Sequence, residues 1–155
     1  MSGEKELIVY TDGAALGNPG KGGYGIVMMW GAARKEISQG YFYTTNNRME
    51  LMAVITALEA IKTPNIIVHI HSDSKYVCDA IEKKWVWSWQ RKGWKDKKNI
   101  DLWKRLIPLF NAHRVKMHWV KGHAGIAENE RCDFLATTAA MNGPWLVDEH
   151  YAIET

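Results

Sequence analysis

The sequence has little of what marks a secreted, membrane-spanning or disulfide-rich protein. Its two cysteines, Cys78 and Cys132, form neither a C-x-x-C pair nor a disulfide framework. No apolar run approaches the roughly 20 residues that span a bilayer, and the polar, charged residues 1–6 lack the pattern of a secretory signal. We therefore expect a protein of the reducing cytoplasm that does not enter a membrane. The net charge of only +3 is weak evidence for a polyanionic partner.

Length and composition predict one domain. The chain has 155 residues, of which 46% are hydrophobic, and this is enough for a single sizeable core. We expect the domain to cover residues 1–141 and to be monomeric. Residues 142–155 lack clear periodicity, so we expect a weakly ordered tail there.

Residues 7–10 favour β structure and run into the first candidate catalytic residue, Asp12, with Gly13 directly after it. This pattern predicts a strand that delivers a carboxylate to its C-terminal end, where ligands of open α/β sheets bind. Three glycines between residues 20 and 25 have the spacing of a dinucleotide fingerprint, but a strand pattern follows them instead of a helix. We therefore favour a hairpin loop between antiparallel strands.

The later patterns predict an α/β fold. The predicted elements are strands at 24–30, 35–44, 66–72 and 115–120, and helices at 48–62, 75–82, 100–112 and 128–141. The strand at residues 7–10 and the strands at 24–30 and 35–44 suggest an antiparallel meander. The helix and strand that follow imply a parallel strand beside the first one, which would place Asp73 next to Asp12.

Two further acids accompany Asp12 and Asp73. Glu50 lies in the first turn of the long apolar helix, where the helix dipole alone could favour it, but a helix this apolar requires a further reason for an acid. Asp133 lies on the last helix. Four crowded carboxylates repel one another, and a hard divalent cation with oxygen ligands removes that conflict. We therefore expect all four to bind divalent metal.

Three histidines are further candidate site residues, and their sequence patterns are less specific than those of the acids. His69, His71 and Asp73 alternate on one strand, and H-x-H-x-D resembles the metal motif of binuclear zinc hydrolases, although the next histidine of that motif is absent. The alternative is two histidines on a covered strand face, which is unusual for a buried parallel strand. His123 lies in a loop of small residues. It is either a proton carrier or a solvated surface residue.

Residues 83–98 have an unusual composition, with seven Lys or Arg residues against one acid, Asp96, and four interleaved tryptophans. Trp85 and Trp89 share a helical face. Tryptophans at helical spacing most often belong to a core, but polar and basic neighbours leave little apolar context here. We favour stacking on nucleic acid and contact with phosphates.

Several motifs together resemble type 1 ribonuclease H of the bacterial kind. They lie between residues 7 and 141 and are Tyr10–Gly13, Leu16–Gly20, Thr44–Leu51, Ser72–Ser74, Trp119–Gly125 and Glu128–Asp133. The resemblance implies an α/β fold with a five-stranded mixed sheet and helices on both faces. It also implies an endonuclease that cuts the RNA strand of RNA–DNA hybrids.

The same resemblance implies residue roles. Asp12, Glu50, Asp73 and Asp133 are expected to be the catalytic acids that bind magnesium, and His123 the auxiliary histidine. Residues 83–98 match the family's substrate-binding handle, and we use that name below. The residues expected to contact the hybrid are Gly13, Asn18, Thr45, Asn46, Asn47, Lys75, Trp85, Trp89, Arg91, Lys92, Trp94 and Lys95.

The sequence departs from the family pattern at two places. Lys75 stands where glutamine is usual, and this puts the substrate contact there in doubt. His69 and His71 replace residues that are usually not histidine.

Two-metal hydrolysis suits the expected donor set. Mg²⁺ prefers carboxylates, water and substrate phosphate, and we expect Mn²⁺ to be able to replace it. Two ions about 4 Å apart can clamp the attacking and leaving oxygens of a phosphodiester, which predicts 5′-phosphate and 3′-hydroxyl ends. The alternatives are a DNA nuclease of the same fold, which would lack the handle, and a binding module, which would gain nothing from four converging acids.

Overall fold

A six-stranded mixed sheet with the order β5-β4-β1-β2-β3-β6 forms the centre of the computed structural model, which describes residues 6–154. The strands are β1 (Glu6–Ala15), β2 (Gly20–Trp30), β3 (Ala33–Thr44), β4 (Ile67–Ser72), β5 (Arg114–Trp119) and β6 (Trp145–Leu146). The helices are α1 (Asn46–Glu59), α2 (Lys75–Glu82), α3 (Trp85–Arg91), α4 (Ile100–Asn111), α5 (Ala127–Asn142) and α6 (Glu149–Glu154). Within residues 6–154, no helix has both the length and the apolarity needed to cross a bilayer.

Strand β1 lies between an antiparallel and a parallel neighbour, as predicted. It pairs antiparallel with β2 and parallel with β4. Helix α1 packs on β1 and β2, and α5 packs on β1, β2 and β3. A Cβ atom on Gly25 would lie 2.7 Å from the Leu135 Cβ of α5, so this glycine lets the helix approach the sheet. Close helix contact therefore explains a glycine of the apparent dinucleotide fingerprint.

Helix α1 begins at Asn46, two residues before the predicted start. Thr45 is its N-cap, and the Thr45 side chain accepts a hydrogen bond from the backbone N–H of Arg48 at 3.2 Å. Apolar residues of α1 are buried around most of its circumference, as its composition predicted. The earlier start places Glu50 in the second turn, so the helix dipole is a weaker reason for an acid there.

The sheet has six strands instead of the expected five. Trp145–Leu146 pairs in parallel with Gly40 and Tyr41 of β3, and this adds a short edge strand. The remaining order and the helices agree with the predicted α/β class. Two residues cannot show a strand periodicity in the sequence, and β6 was therefore missed.

A buried ion pair holds the C-terminal segment. Asp148 is buried and accepts hydrogen bonds from Arg48 Nε at 2.6 Å and from Thr44 Oγ1 at 2.8 Å. Arg48, itself 1% exposed, also donates to both carboxylate oxygens of Asp101 at 2.9 and 2.7 Å. These contacts differ from the weakly ordered tail that was expected at 142–155. The expectation rested on periodicity, and a buried ion pair leaves no periodic signal in a sequence.

Candidate active site

Three acidic side chains meet where β1, α1 and the end of β4 come together. One carboxylate oxygen from each of Asp12, Glu50 and Asp73 lies within 4.8 Å of the other two. The three residues are far apart in the sequence, so only the fold can assemble them. Their convergence agrees with the predicted metal-binding group.

The register of the two parallel strands makes Asp12 and Asp73 neighbours. Thr11 of β1 is paired with Ser72 of β4. Asp12 directly follows Thr11, and Asp73 directly follows Ser72. Strand β1 continues to Ala15, so Asp12 lies inside its strand and not at its end as predicted. Strand β4 does end at Ser72, and its carboxyl end defines this edge of the site.

Gly13 allows Glu50 to reach the two aspartates. A Cβ atom on Gly13 would lie 2.6 Å from the backbone carbonyl carbon of Met49, which is closer than real Cβ contacts. Any side chain at this position would therefore push α1 away from β1. The Gly13 N–H also donates a hydrogen bond to Asp12 Oδ1 at 3.0 Å.

Burial and mutual repulsion favour protons on this group. Asp12 is 4% exposed. Burial, followed by the charges of Asp73 and Asp133, raises the pKa of Asp12 to about 8, although the Gly13 hydrogen bond opposes the shift. Burial and then the charge of Asp12 raise the pKa of Glu50 well above its ordinary value. Without a cation, burial and mutual repulsion therefore favour the protonated forms of Asp12 and Glu50.

The donor set fits a hard divalent cation. All three groups offer carboxylate oxygen, the ligand type that Mg²⁺ and Mn²⁺ prefer. Glu50 Oε1 is buried and has no hydrogen-bond partner among residues 6–154. A buried oxygen without a partner costs free energy, and a bound cation would remove that cost by coordinating it. The residues present therefore fit a divalent metal.

Asp133 and His123 lie beside this group. Asp133, on α5, is outside the set of three, but its charge contributes to the raised pKa of Asp12 and places it near that carboxyl. His123 is exposed in the loop after β5 and has a left-handed φ of 56°. The same loop passes against Asp73, because a Cβ atom on Gly122 would lie 2.7 Å from Asp73 Oδ2. The metal role of Asp133 and the proton role of His123 stay predictions.

A polar groove adjoins the start of α1. Asn18 Oδ1 accepts a hydrogen bond from the backbone N–H of Asn46 at 3.1 Å, which joins the turn after β1 to this helix. The groove has a volume of about 480 Å³. Its polar lining consists of Asn18, Thr45, Asn47, Lys97, Lys98 and Asn99. The first three of these residues were predicted from the sequence, but Asn99 was not. Asn99 lies directly before α4 with a left-handed φ of 61°, and no sequence pattern marks it.

The tryptophans of the handle do not all face outward. Trp94 is only 9% exposed and belongs to the core. Trp89 packs edge-on against buried Trp103, with ring centroids 5.8 Å apart. Trp85 is 44% exposed. The expectation of stacking on nucleic acid was therefore wrong for Trp94, which has the apolar context that its sequence neighbours did not reveal.

Basic residues of the handle also lie on two further surfaces. Lys92, Lys95 and Lys97 line a groove of about 830 Å³ together with Trp85 and Trp89. Arg91 lines a separate cavity beside Trp87 and Phe110. Arg91 therefore does not share the groove with the lysines beside which it was predicted to act.

Lys75 lies on an aromatic ring at the rim of the acidic site. Its Nζ is 4.9 Å from the ring centroid of Trp119, in cation–π geometry. Trp119 Nε1 donates a hydrogen bond to the backbone oxygen of Asp73 at 3.1 Å. The lysine at the unusual position is therefore tied to the backbone of a predicted metal ligand.

Comparison with known proteins identifies the family. The family model described as RNase H matches residues 4–141. A curated ribonuclease H from Shewanella loihica is 51% identical over 156 residues, covering 97% of this chain and 98% of the relative. Another from Desulforamulus reducens is 55% identical over 141 residues, covering 88% of each.

Solved structures agree. LC9-RNase H1, described as a type 1 RNase H with the type 2 active-site motif, superposes with a TM-score of 0.83 at 34% identity, over 98% of this chain and 82% of that one. LC11-RNase H1, solved with an RNA/DNA hybrid, shares the fold with a TM-score of 0.69 at 24% identity, over 87% of this chain and 96% of that one. The chain therefore belongs to the ribonuclease H family, in its bacterial type 1 branch, and is an endoribonuclease.

Proposed function

We propose that this chain hydrolyses the RNA strand of RNA–DNA hybrids with two divalent metal ions and leaves 5′-phosphate and 3′-hydroxyl ends. The observation that carries the proposal is the group formed by Asp12, Glu50 and Asp73, whose carboxylate oxygens lie within 4.8 Å of one another. The family and the basic grooves nearby support a polyanionic substrate. A protein that only bound nucleic acid would gain nothing from converging acids.

The chain's own residues hold the metal and handle the protons. When bound, Mg²⁺ lowers the pKa of an attacking water and stabilises the departing 3′ oxygen. Asp12, Glu50 and Asp73 would bind the cation, and Asp12 and Glu50 would release protons to it because their pKa values are raised in its absence. Asp133 completes the donor set from α5. His123, exposed on the loop that passes Asp73 at Gly122, carries a proton between the site and solvent. Mn²⁺ can replace Mg²⁺ because it accepts the same oxygen ligands.

The substrate lies across the two grooves. Lys92, Lys95 and Lys97 neutralise phosphates of the DNA strand, and the amides of Asn18 and Asn47 hydrogen-bond to a phosphate near α1. Contacts of this kind follow the backbone and do not read bases. Selection of RNA at the acidic group must therefore come from 2′-hydroxyl groups and from the shape of the hybrid.

A gel assay tests both the substrate and the chemistry. The protein is incubated with Mg²⁺ and end-labelled RNA–DNA hybrid, double-stranded RNA, double-stranded DNA or single strands, and Asp12→Asn is the matched control. We expect cleavage of the RNA in the hybrid, with ends that a ligase accepts. Comparable cleavage of duplex DNA would contradict the substrate. Cyclic phosphate ends would contradict the mechanism, because they require attack by the RNA's own 2′-hydroxyl.

A further inference from the structure

A half-exposed tryptophan is fixed against the backbone of one acid of the candidate active site. Trp119 is the last residue of β5 and is 48% exposed. Its Nε1 donates a hydrogen bond to the backbone oxygen of Asp73 at 3.1 Å. Lys75 Nζ lies over the face of the same ring, 4.9 Å from its centroid. The indole therefore joins two residues at the rim of the acidic group, although it is not part of the hydrophobic core.

The hydrogen bond from Trp119 holds one end of a peptide unit whose other end is also held. Asp73 lies in the bend between β4 and α2, and its carbonyl belongs to the same peptide unit as the N–H of Ser74. This N–H donates a hydrogen bond to Ser72 Oγ at 3.1 Å. Because a peptide unit is planar, hydrogen bonds at its two ends together determine its orientation. That orientation limits the ψ angle of Asp73 and so the direction in which its carboxylate projects.

We propose that Trp119 is a positioning residue for metal binding, whose indole N–H holds the Asp73 carboxylate where the cation binds. This inference rests on the proposed function, because it concerns the same cation. Metal and catalytic groups must be held within about 0.5 Å of their working geometry. Asp12 lies inside β1 and Glu50 lies inside α1, whereas Asp73 follows the end of β4. Of the three acids, Asp73 therefore depends most on contacts made by side chains.

The contact should matter more for position than for stability. The hydrogen bond is exposed, so a water molecule can replace the indole N–H as the donor to the Asp73 oxygen. Such a water satisfies the carbonyl but does not hold it at a fixed distance from β5. Loss of the N–H should therefore leave the protein folded and should change the affinity for the cation.

The two contacts of the indole can be separated by substitution. Phenylalanine at position 119 keeps an aromatic face under Lys75 but has no N–H for Asp73. Leucine at this position keeps neither contact. Trp119→Phe should therefore affect the metal alone, whereas Trp119→Leu should also release the Lys75 ammonium from its place at the rim.

Trp145 offers a matched control on β6, at the opposite edge of the sheet. Its Nε1 donates a hydrogen bond to the backbone oxygen of Ala140 at 2.9 Å, and Lys21 Nζ lies 4.1 Å from its ring centroid. Trp145→Phe therefore removes the same kind of hydrogen bond and keeps the same kind of lysine contact. A general effect of exchanging tryptophan for phenylalanine should appear in both proteins, but an effect on the cation should appear only at position 119.

Mn²⁺ provides a probe that needs no substrate, because electron paramagnetic resonance measures the free ion directly. The unsubstituted protein, Trp119→Phe and Trp145→Phe are titrated with Mn²⁺, and thermal melts confirm that each is folded. We expect Trp119→Phe to weaken Mn²⁺ binding by about 10-fold, the smaller end of the range for groups that orient metal ligands, and Trp145→Phe to leave it unchanged.

Cleavage of hybrid gives a second readout of the same role. Trp119→Phe should need about 10-fold more Mg²⁺ to reach half of its maximal kcat, while its KM for hybrid at saturating Mg²⁺ stays unchanged. Trp119→Leu should show the same Mg²⁺ requirement and also a raised KM, because the Lys75 ammonium is no longer held. A merely structural role would not divide the two kinetic constants between the two variants in this way.

Unchanged Mn²⁺ affinity in folded Trp119→Phe would overturn the inference, and so would an equal loss of affinity in Trp145→Phe. If Trp119→Phe does not fold, Ser72→Ala gives an independent answer, because it removes the hydrogen bond at the other end of the same peptide unit. Unchanged Mn²⁺ affinity in that variant also contradicts the inference. Failure of the unsubstituted protein to cleave hybrid would instead contradict the proposed function, and the Mn²⁺ titration would still decide the role of Trp119.

Discussion

The two basic surfaces of the handle should behave differently towards substrate. Lys92 and Lys95 line the groove beside exposed Trp85, whereas Arg91 lines a separate cavity beside Phe110. Arg91 and Lys92 are adjacent in sequence and carry the same charge, so Arg91→Ala is a matched control for loss of the groove lysines. We expect only the groove side to neutralise phosphates of the hybrid.

The magnitude follows from counterion release. Each neutralised phosphate contributes about 0.9 to the slope of log affinity against log salt concentration, so the Lys92→Ala/Lys95→Ala protein should lose about 1.8 units of slope. Between about 50 and 200 mM salt, a slope of 1.8 corresponds to roughly a 12-fold change in affinity. The KM at low salt should rise, but kcat should change little, because phosphate contacts of this kind stabilise the bound substrate and the transition state equally.

The assay measures kcat and KM over that salt range, and fluorescence anisotropy on Asp12→Asn versions gives hybrid affinity without cleavage. The Arg91→Ala protein should keep the slope of the unsubstituted handle. The reasoning is refuted if Arg91→Ala flattens the slope as much as the double substitution of Lys92 and Lys95 does. A fall in kcat alone would show that the handle positions the scissile phosphate.

Three further predictions follow from single contacts. Asp148→Ala should lower the free energy of unfolding by about 1.5–3 kcal/mol in urea titrations, because buried Arg48 loses one charged partner and keeps Asp101; an unchanged value would mean that the contact of the C-terminal segment contributes nothing. Metal-free protein should lose stability as pH rises from about 4 to about 8, because Asp12 of the unfolded chain ionises near its ordinary pKa of 3.8, whereas burial raises the pKa of folded Asp12 to about 8; Asp12→Asn should show a smaller loss in thermal melts, because buried Glu50 still contributes. Lys75→Gln should reduce the salt slope of hybrid affinity by about 0.9, because the ammonium over Trp119 is expected to contact a phosphate. An unchanged slope would mean that the Lys75 ammonium contacts only Trp119 and no phosphate.

The sequence was sufficient to predict that Asp12 and Asp73 lie side by side, because strand order determines that placement. A β-α-β succession forces a parallel pair, and residues that end the matched parts of two parallel strands must meet at one edge. Asp12 and Asp73 follow Thr11 and Ser72, which are paired in the structure. Helix α1 was predicted to start two residues late. This error did not change the predicted place of Glu50 in the site, because Gly13 determines how closely α1 approaches β1.

The handle shows where composition fails. The basic neighbours of Trp94 gave no sign that this residue is buried in the hydrophobic core. Trp89 likewise contacts Trp103, which lies on α4. Whether a tryptophan is buried depends on the residues that pack against it in the fold. A local window of sequence does not contain those of them that are distant in the chain.

The register of β4 against β5 positions both His118 and the loop that carries His123, and it could not be derived from either strand alone. Pairing of Ser72 with Trp119 allows Trp119 Nε1 to donate to the Asp73 backbone oxygen, and it carries the His123 loop to the acidic group. The same register puts His118 opposite His71. A slip of one residue would turn His118 to the other face of the sheet and move Trp119 away from Asp73. The contact of His118 with His71 and the placement of the loop that carries His123 therefore depend on one strand pairing.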